Sequence, residues 1–474
     1  MGRQTALLNS FLVFNTVGDF MSENKKKNKM ERGLTNRHVQ VMAIAGTIGT
    51  GLFLGAGRSI SLTGPSIVLI YLITGAFMFL MMRAVGEMLY QDPEQHTFIN
   101  FITRHLGKGW GYFAVWSYWL SVVFIGMAEI TAISHYVQFW FPSWPSWLIQ
   151  VVFLTVLGLV NLIAVKLFGE VEFWFAMIKI VAILAMIVTG IFMVLTGFET
   201  PHGVASLANI TDNFSLFPNG GVNFVMAFQM VFFAYLMIEF IGVTTSETKN
   251  PRQVLPKAVK EIPLRIAFFY GGSLIAIMAI IPWQDLASAD SPFVTVFELA
   301  GVKWAAALIN FVVLTSAASA LNSTLYSTGR HLYQIAQDLP NPLLKAIKAD
   351  TLSRYNVPQN AILASTILIA TAAFINVLPG VSDAFALITA SSSGVYVAIY
   401  ILIMVAHLKY RKSQDFMVDG YLMPHYRFLN PLTMLFFAFV FVTLFLQEST
   451  FVGAIGSAIW IIVFGIYSQW KFRK

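Results

Sequence analysis

The 474-residue chain contains no cysteine. This absence excludes a disulfide framework, a thiol nucleophile and any metal site built on cysteine ligands. Charge is scarce as well, because only 11 % of the residues are Asp, Glu, Lys or Arg, whereas an ordinary soluble domain carries about 25 %. The eight histidines show no metal-ligand spacing, so the sequence predicts no metal site, and we expect no cofactor.

Long apolar runs take the place of the missing charge, since 57 % of the residues are hydrophobic. A membrane-spanning helix needs about 20 largely apolar residues. Windows without Asp, Glu, Lys or Arg recur along the chain at 38–57, 59–82, 109–128, 147–165, 180–198, 213–238, 266–284, 304–329, 355–382, 384–408, 428–447 and 449–470. The pattern predicts an all-α polytopic membrane protein with 12 transmembrane helices, residing in the lipid bilayer of the cell membrane.

The loops between these windows alternate in charge. If the N-terminus is cytoplasmic, all but three of the 30 lysines and arginines lie on the cytoplasmic side. The exceptions are Arg58 and Lys303 in outer loops and Lys179 inside an apolar segment. This distribution predicts that both termini are cytoplasmic, and it explains the net charge of +7 without a nucleic-acid partner. Residues 1–36 are predicted to be a disordered cytoplasmic tail.

The first window contains the stretch AGTIGTGLFLGAG at 45–57, which is unusually rich in glycine for a helix. Gly51 and Gly55 fit a helix-packing motif. That motif leaves Gly46 and Gly49 unexplained, and irregular backbone within a membrane survives where it is buried or lines a cavity. A helix break at 46–51 would direct free N–H groups of the following half-helix at an anion such as a carboxylate.

Inverted-repeat transporters pair two such broken helices. With ten core helices arranged as five plus five, the partner of the first helix is the sixth, near 222–246. Glu239 is an acidic residue close to the expected break in that helix.

Lys179 and Glu129 are ionisable residues within predicted spans, where charge is expensive and marks a functional site by default. Lys179 is interpreted as a residue that gains and loses a proton, and snorkelling to the inner surface is the alternative. Glu129 is a candidate proton carrier or substrate-amine contact, and structural pairing with a threonine or with His135 is the alternative.

Small polar residues at near-helical spacing mark the eighth predicted span. Such residues cement helix packing or line a cavity, and both roles stay open for Ser316, Ser319 and Asn322. Arg83 and Glu87 are placed to pair one helical turn apart at the inner end of the second span. No nucleophile–base pair stands out, so the sequence does not predict an enzyme.

These segments resemble a known family. LTNRHVQVMAIAGTIGTGLFLGAGRSISLTGPS at 34–66 strongly resembles the first-helix signature of bacterial amino acid permeases in the amino acid–polyamine–organocation superfamily. The resemblance continues through MRAVGEML at 82–89, FGEVEFWFAMIKIVAI at 168–183, SETKNP at 246–251 and NFVVLTSAASALNSTLYSTGR at 310–330. Within the family, GMAEITAISHYVQFWFP at 126–142 is most similar to D-serine/D-alanine/glycine permeases.

The resemblance implies a five-plus-five inverted repeat with broken helices one and six. The permease domain would cover 37–474, with repeats at about 37–198 and 220–412 and two extra helices at about 427–471. It also implies a substrate site. The residues that would hold the carboxylate and ammonium groups of the substrate are Ile44, Thr47, Ile48, Gly49, Thr50, Gly51, Phe233, Ala234 and Tyr235. Lys179 matches the fifth-helix lysine of the family and would carry the coupling proton, with Glu239 or Glu129 as relay.

Many family members have paired glycines where this chain has Leu236 and Met237. Larger side chains there narrow the pocket and favour alanine, glycine or serine. We therefore expect import of small neutral amino acids with protons. The alternative is an amino acid exchanger or a permease for larger amino acids, and the oligomeric state stays open.

Overall fold

The computed structural model describes residues 48–93, 97–163, 165–212, 214–239, 250–286, 291–299, 303–339, 341–354, 356–375 and 383–473. The predicted tail at 1–36 and the predicted site residues Ile44 and Thr47 lie outside these stretches.

The described residues are mostly helical. In chain order, the α-helices are α1 (Thr50–Phe53), α2 (Gly55–Thr63), α3 (Ile67–Gln91), α4 (Ile99–Leu106), α5 (Lys108–Gln138), α6 (Ser146–Ile163), α7 (Val165–Thr196), α8 (Ala208–Thr211), α9 (Gly221–Ala234), α10 (Pro251–Arg265), α11 (Gly272–Ile280), α12 (Pro292–Leu299), α13 (Lys303–Asp338), α14 (Pro342–Ala346), α15 (Gln359–Ala370), α16 (Ala372–Ile375), α17 (Ala384–Tyr410), α18 (Tyr426–Thr443), α19 (Glu448–Ile459) and α20 (Gly465–Lys471).

Short elements join several of these helices. The turns at Gly64–Ser66 and Trp283–Asp285 are 3₁₀ helices, and those at Ile266–Gly271 and Trp460–Phe464 are π-helical. An antiparallel hairpin pairs β1 (Glu199–Thr200) with β2 (Gly203–Val204), so that Glu199 lies opposite Val204.

Eight continuous helical segments of the described residues are long and apolar enough to cross a membrane, by length and composition. They are Gly55–Gln91, Lys108–Gln138, Glu172–Thr196, Pro251–Ile280, Trp304–Asp338, Ala384–Tyr410, Tyr426–Thr443 and Glu448–Lys471. Three shorter apolar helices cover Ser146–Leu162, Gly221–Ala234 and Gln359–Ile375. The described fold is therefore that of an all-α polytopic membrane protein.

Burial separates the central helices from the peripheral ones. In α17 (Ala384–Tyr410), 78 % of the most apolar window is buried, but in Glu448–Lys471 only 28 % is. Peripheral segments expose large apolar side chains such as Leu195 and Trp304. In a membrane these side chains face lipid, so exposed apolar surface is expected there.

The boundary between the first two apolar segments differs from the one that the charge-free windows suggest. Those windows stop on either side of Arg58, but α2 continues through Arg58 to Thr63. Its guanidinium is accommodated because it pairs with Asp383 and donates to Ser449 Oγ at 2.5 Å. The chain turns only at Gly64, whose φ of 55° ends the helix.

The predicted pair between Arg83 and Glu87 is replaced by other partners. The Glu87 carboxylate receives Arg411 Nε at 2.5 Å and Nη2 at 2.6 Å, from the end of α17. Arg83 donates to the carbonyl of Leu422 and lies 3.9 Å from the ring centre of Tyr421. Arg83 and Glu87 are one helical turn apart, but they contact different parts of the 411–425 connection: Glu87 contacts Arg411, and Arg83 contacts Tyr421 and Leu422.

Candidate functional site

The glycine-rich stretch leads into a helix start. Gly49 is extended, with φ −131° and ψ −159°, and α1 begins at Thr50. The first N–H groups of a helix have no partner within the helix. Thr50 donates its N–H to Glu129 Oε1 at 3.4 Å and its hydroxyl to the same oxygen at 3.0 Å. A side-chain carboxylate therefore occupies the anion position at this helix start.

The glycines of this segment permit two close approaches. A Cβ on Gly51 would lie 2.6 Å from the Cα of Ala234, at the end of α9, and one on Gly55 would lie 2.7 Å from the sulfur of Met230. The helix-packing interpretation of Gly51 and Gly55 thus fits their contacts with α9. A Cβ on Gly49 would lie 2.9 Å from Glu129 Oε1, so this glycine leaves room for the carboxylate.

The end of α9 faces the start of α1. The helix stops at Ala234, and Met237 has a φ of 66°, a left-handed conformation that few non-glycine residues adopt. Three carbonyls of the last turn accept hydrogen bonds from nearby groups: Phe232 from Tyr235 N, Phe233 from Leu236 N and Ala234 from the Tyr270 hydroxyl. Each carbonyl oxygen retains a second lone pair for another donor.

Three buried ionisable side chains surround the same space. Glu129, Glu172 and Lys179 are each no more than 3 % exposed. Ser319 donates to Glu172 Oε1 at 2.8 Å, and the second oxygen of each carboxylate has no hydrogen-bond partner among the described residues. Lys179 lies within electrostatic range of both carboxylates. Lys179 and Glu129, which the sequence analysis singled out separately, thus belong to a group of three with Glu172.

Sequence reasoning missed Glu172. The residue lies seven positions before Lys179, which corresponds to two helical turns and places both side chains on one face of α7. That spacing was the available signal. It was overlooked because Glu172 stands near the end of an apolar segment, where an acidic residue is ordinarily in contact with water.

A small cavity lies between these groups. Its walls consist of Gly49, Gly51, Ile125, Glu129, Glu172, Lys179, Phe233, Ala234, Leu236, Met237, Ala320, Ser323 and Thr324. The space open to the centres of water molecules is about 40 Å³, which corresponds to about three waters. Leu236 and Met237 reduce this space from the side of α9.

The remaining predicted residues lie beside the cavity or away from it. On α13, the wall is formed by Ala320, Ser323 and Thr324. The candidates on the same helix contact other groups: Ser316 lies 3.5 Å from the Ile48 carbonyl oxygen, Ser319 bonds Glu172, and Asn322 accepts from Asn161 at 2.8 Å. Tyr235 donates to the Tyr71 carbonyl at 2.9 Å, and Glu239 lies in a separate cluster of tyrosines.

Comparison with known proteins identifies the family of this fold and site. The family model described as amino acid permease matches residues 38–474. The chain belongs to the amino acid permease family. A DL-alanine permease of Lactococcus lactis subsp. cremoris is 50 % identical over 452 residues, covering 95 % of this chain and 97 % of the relative.

Two other relatives are similar over nearly their full lengths. A serine permease of the same organism is 47 % identical, covering 95 % of this chain and all of the relative. A D-serine/D-alanine/glycine transporter of Escherichia coli is 42 % identical over 94 % of each chain. These relatives are transporters rather than enzymes, so this permease is a membrane protein of amino acid transport.

Proposed function

We propose that this permease imports small neutral amino acids, namely alanine, glycine or serine of either chirality, together with protons. The observation that carries the proposal is the small cavity in which a helix start, a helix end and three buried ionisable groups meet. The names of the relatives, which refer to alanine, serine, D-serine and glycine, support the same substrate class.

The substrate carboxylate would bind at the start of α1. The N–H and the hydroxyl of Thr50 there now donate to Glu129 Oε1, so the Glu129 carboxylate occupies the position. Two carboxylates cannot share one donor set while both are ionised. Substrate binding would therefore move Glu129 away from Thr50.

The substrate ammonium would bind carbonyl oxygens at the end of α9, where Phe233 and Ala234 line the cavity. Leu236 and Met237 line the same cavity, and their side chains would restrict the substrate to a small amino acid. The resemblance adds Ile44 and Thr47, which lie outside the described residues.

Proton coupling follows from the charge balance of the buried group. Two carboxylates and one ammonium carry a net charge of −1, and an uncompensated buried charge is expensive. One proton neutralises the group of Glu129, Glu172 and Lys179. A proton and a substrate that both favour one conformation would be transported together, with a coupling free energy of about 1–3 kcal/mol.

The proposal includes the finer architecture of the permease. The described apolar helices are compatible with 12 transmembrane segments in a five-plus-five inverted repeat, with α1 and α9 as parts of broken helices. The charge distribution favours a multi-pass protein of the bacterial cell membrane with both termini in the cytoplasm.

Uptake of labelled alanine or glycine into proteoliposomes tests this function. We expect an inward proton gradient to increase uptake, and Lys179→Ala to abolish the increase. Wild-type uptake that ignores the gradient would contradict symport and favour exchange. A competition panel with D- and L-amino acids of increasing size would reveal the substrate class.

A further inference from the structure

A pair of buried asparagines lies behind the Glu172 carboxyl group. Asn161 stands two residues before the end of α6, and Asn322 stands in the middle of α13. Both side chains are at most 5 % exposed, and neither belongs to the cavity wall. A buried amide needs hydrogen-bond partners, because an unpaired polar group away from water is costly. The partners of these two amides determine which way each one points.

A backbone carbonyl fixes the orientation of both amides. Asn161 donates Nδ2 to the carbonyl of Leu157 at 2.9 Å, and a carbonyl oxygen can only accept. The same Nδ2 donates its second hydrogen to Asn322 Oδ1 at 2.8 Å. Asn322 therefore uses its acceptor on Asn161, and its donor group Nδ2 remains for another partner.

The acceptor that Asn322 contacts is Glu172. The Asn322 side chain meets this carboxyl group together with Ser319 and Ser323, which stand on the same helix. Ser319 donates to Glu172 Oε1 at 2.8 Å. Asn322 Nδ2 and Glu172 Oε2 are buried, and neither has a hydrogen bond of ordinary geometry among the described residues. An unused donor and an unused acceptor thus belong to one contact, where a hydrogen bond between them satisfies both.

The two carboxylates that line the cavity with Lys179 differ in their donors. Hydrogen bonds donated to a carboxylate stabilise its charged form. The donors to Glu129 come from Thr50, where the substrate carboxylate is proposed to bind. Glu172 is held by Ser319 and contacted by Asn322, and neither of these residues lines the cavity. The donors of Glu172 therefore stay in place whether or not a substrate occupies the cavity.

We infer that Asn161 and Asn322 are positioning residues that hold the Glu172 side chain as the permanent anion beside Lys179. Asn161 orients Asn322, and Asn322 in turn stabilises the Glu172 carboxylate. The inference rests on the proposed proton symport where it concerns transport. It excludes Glu172 as the carrier of the coupling proton, since this carboxylate keeps its charge throughout.

Infrared spectroscopy of the purified permease tests the charge of Glu172 directly. Asn322→Leu keeps the approximate size of the side chain and removes its donor. The difference spectrum between each protein and its Glu172→Gln derivative isolates the signal of the Glu172 carboxyl group. At neutral pH we expect carboxylate bands for the wild type. We expect the carbonyl band of a protonated acid for Asn322→Leu, because a buried charge that loses its donor is destabilised.

Transport gives a second measurement. Uptake into proteoliposomes is compared with and without an inward proton gradient, and the ratio of the two rates does not depend on the amount of active protein. A Glu172 that is already protonated resembles Glu172→Gln, so Asn322→Leu should lose the stimulation by the gradient. Adding Glu172→Gln to Asn322→Leu should change the ratio no further, because Asn322 acts through Glu172.

Two further variants separate positioning from packing. Asn310→Leu removes another buried asparagine of α13, which donates to the Tyr136 carbonyl at 2.8 Å. This control should keep both the carboxylate bands of Glu172 and the gradient stimulation. Asn161→Leu leaves Asn322 without its orienting partner, so both measurements should change in the same direction as for Asn322→Leu, but less. Asn161→Leu also serves as the test variant if Asn322→Leu fails to fold.

The possible outcomes are distinct. Carboxylate bands for Glu172 in both Asn322→Leu and Asn161→Leu would overturn the positioning role, and a protonated Glu172 in the wild type would overturn the permanent anion. An equal loss of gradient stimulation in Asn310→Leu would indicate a general packing effect and also contradict the inference. A wild type that ignored the proton gradient would refute the proposed symport, while the infrared comparison would still decide the role of the two asparagines.

Discussion

One lysine shares the cavity with two carboxylates, and this arrangement is the most informative result at the scale of single residues. The sequence drew attention to Lys179 and Glu129 because each is an ionisable residue within a predicted membrane span. Glu172 adds a second acid, held by Ser319 at 2.8 Å. The three groups have to be considered together, because the charge of each changes the electrostatic free energy of the other two.

Replacing Glu172 by glutamine tests this balance. Glu172→Gln keeps the side-chain size and can still accept from Ser319, but it leaves one carboxylate opposite one ammonium. The group is then neutral without an added proton. We expect uptake to lose its dependence on an inward proton gradient while counterflow is retained. Glu199→Gln, a change of an exposed acid, is the control; unchanged gradient dependence in Glu172→Gln would contradict the charge balance.

Gly51 tests the contact between α1 and α9. A methyl group there would lie 2.6 Å from the backbone of Ala234, which cannot yield as a flexible side chain can. Gly51→Ala should lower the free energy of unfolding by about 1–3 kcal/mol, measured as a lower thermal midpoint in detergent, and should reduce uptake. Gly221→Ala is the matched control because a methyl group there meets no atom within 4 Å. Equal midpoints for the two variants would contradict the tight contact.

At the scale of elements, apolar windows predicted the existence of the helices better than their ends. The window boundary at Arg58 failed because a charged side chain with an acidic partner can remain in a helix. The partner, Asp383, is 325 positions away in the sequence. The start of α17, in contrast, is set by a local contact, because Asp383 accepts the N–H of Ala386 at 2.9 Å and caps the helix.

The ion pair of Glu87 and Arg411 gives a prediction about how two helix ends are held together. The side chains of Glu87 and Arg411 join α3 to the end of α17, and both are buried. Removing one partner of a buried ion pair costs about 3–5 kcal/mol. Arg411→Met should therefore lower the thermal midpoint strongly, because the partners that Glu87 then keeps among the described residues are the backbone N–H of Met423 and His407.

The double variant Glu87→Gln/Arg411→Met completes this test. It removes both charges, so the midpoint should recover relative to Arg411→Met alone. A double-mutant cycle in detergent measures the coupling between the two residues. Additive effects of the two substitutions would show that the pair does not act as a unit.

At the scale of the whole molecule, the composition was sufficient to predict a polytopic membrane protein, and a few motifs were sufficient to indicate the amino acid permease family. The site was predictable in part. Gly49, Gly51, Glu129 and Lys179 carry local signals, either glycine in a helix or charge within a predicted span, and all four line the cavity. The position of Glu172 at the cavity depends on how α7 is rotated against α13. Such long-range packing has no local signature.

The absence of cysteine allows the predicted topology to be tested directly, because any cysteine introduced into this permease is unique. Ser143 is exposed between α5 and α6, on the side predicted to be outside, and Gln414 is exposed between α17 and α18, on the side predicted to be cytoplasmic. In intact cells, a membrane-impermeant maleimide should label Ser143→Cys and leave Gln414→Cys unlabelled. After the cells are permeabilised, both should react. The reverse labelling pattern in intact cells would show that the predicted orientation is inverted.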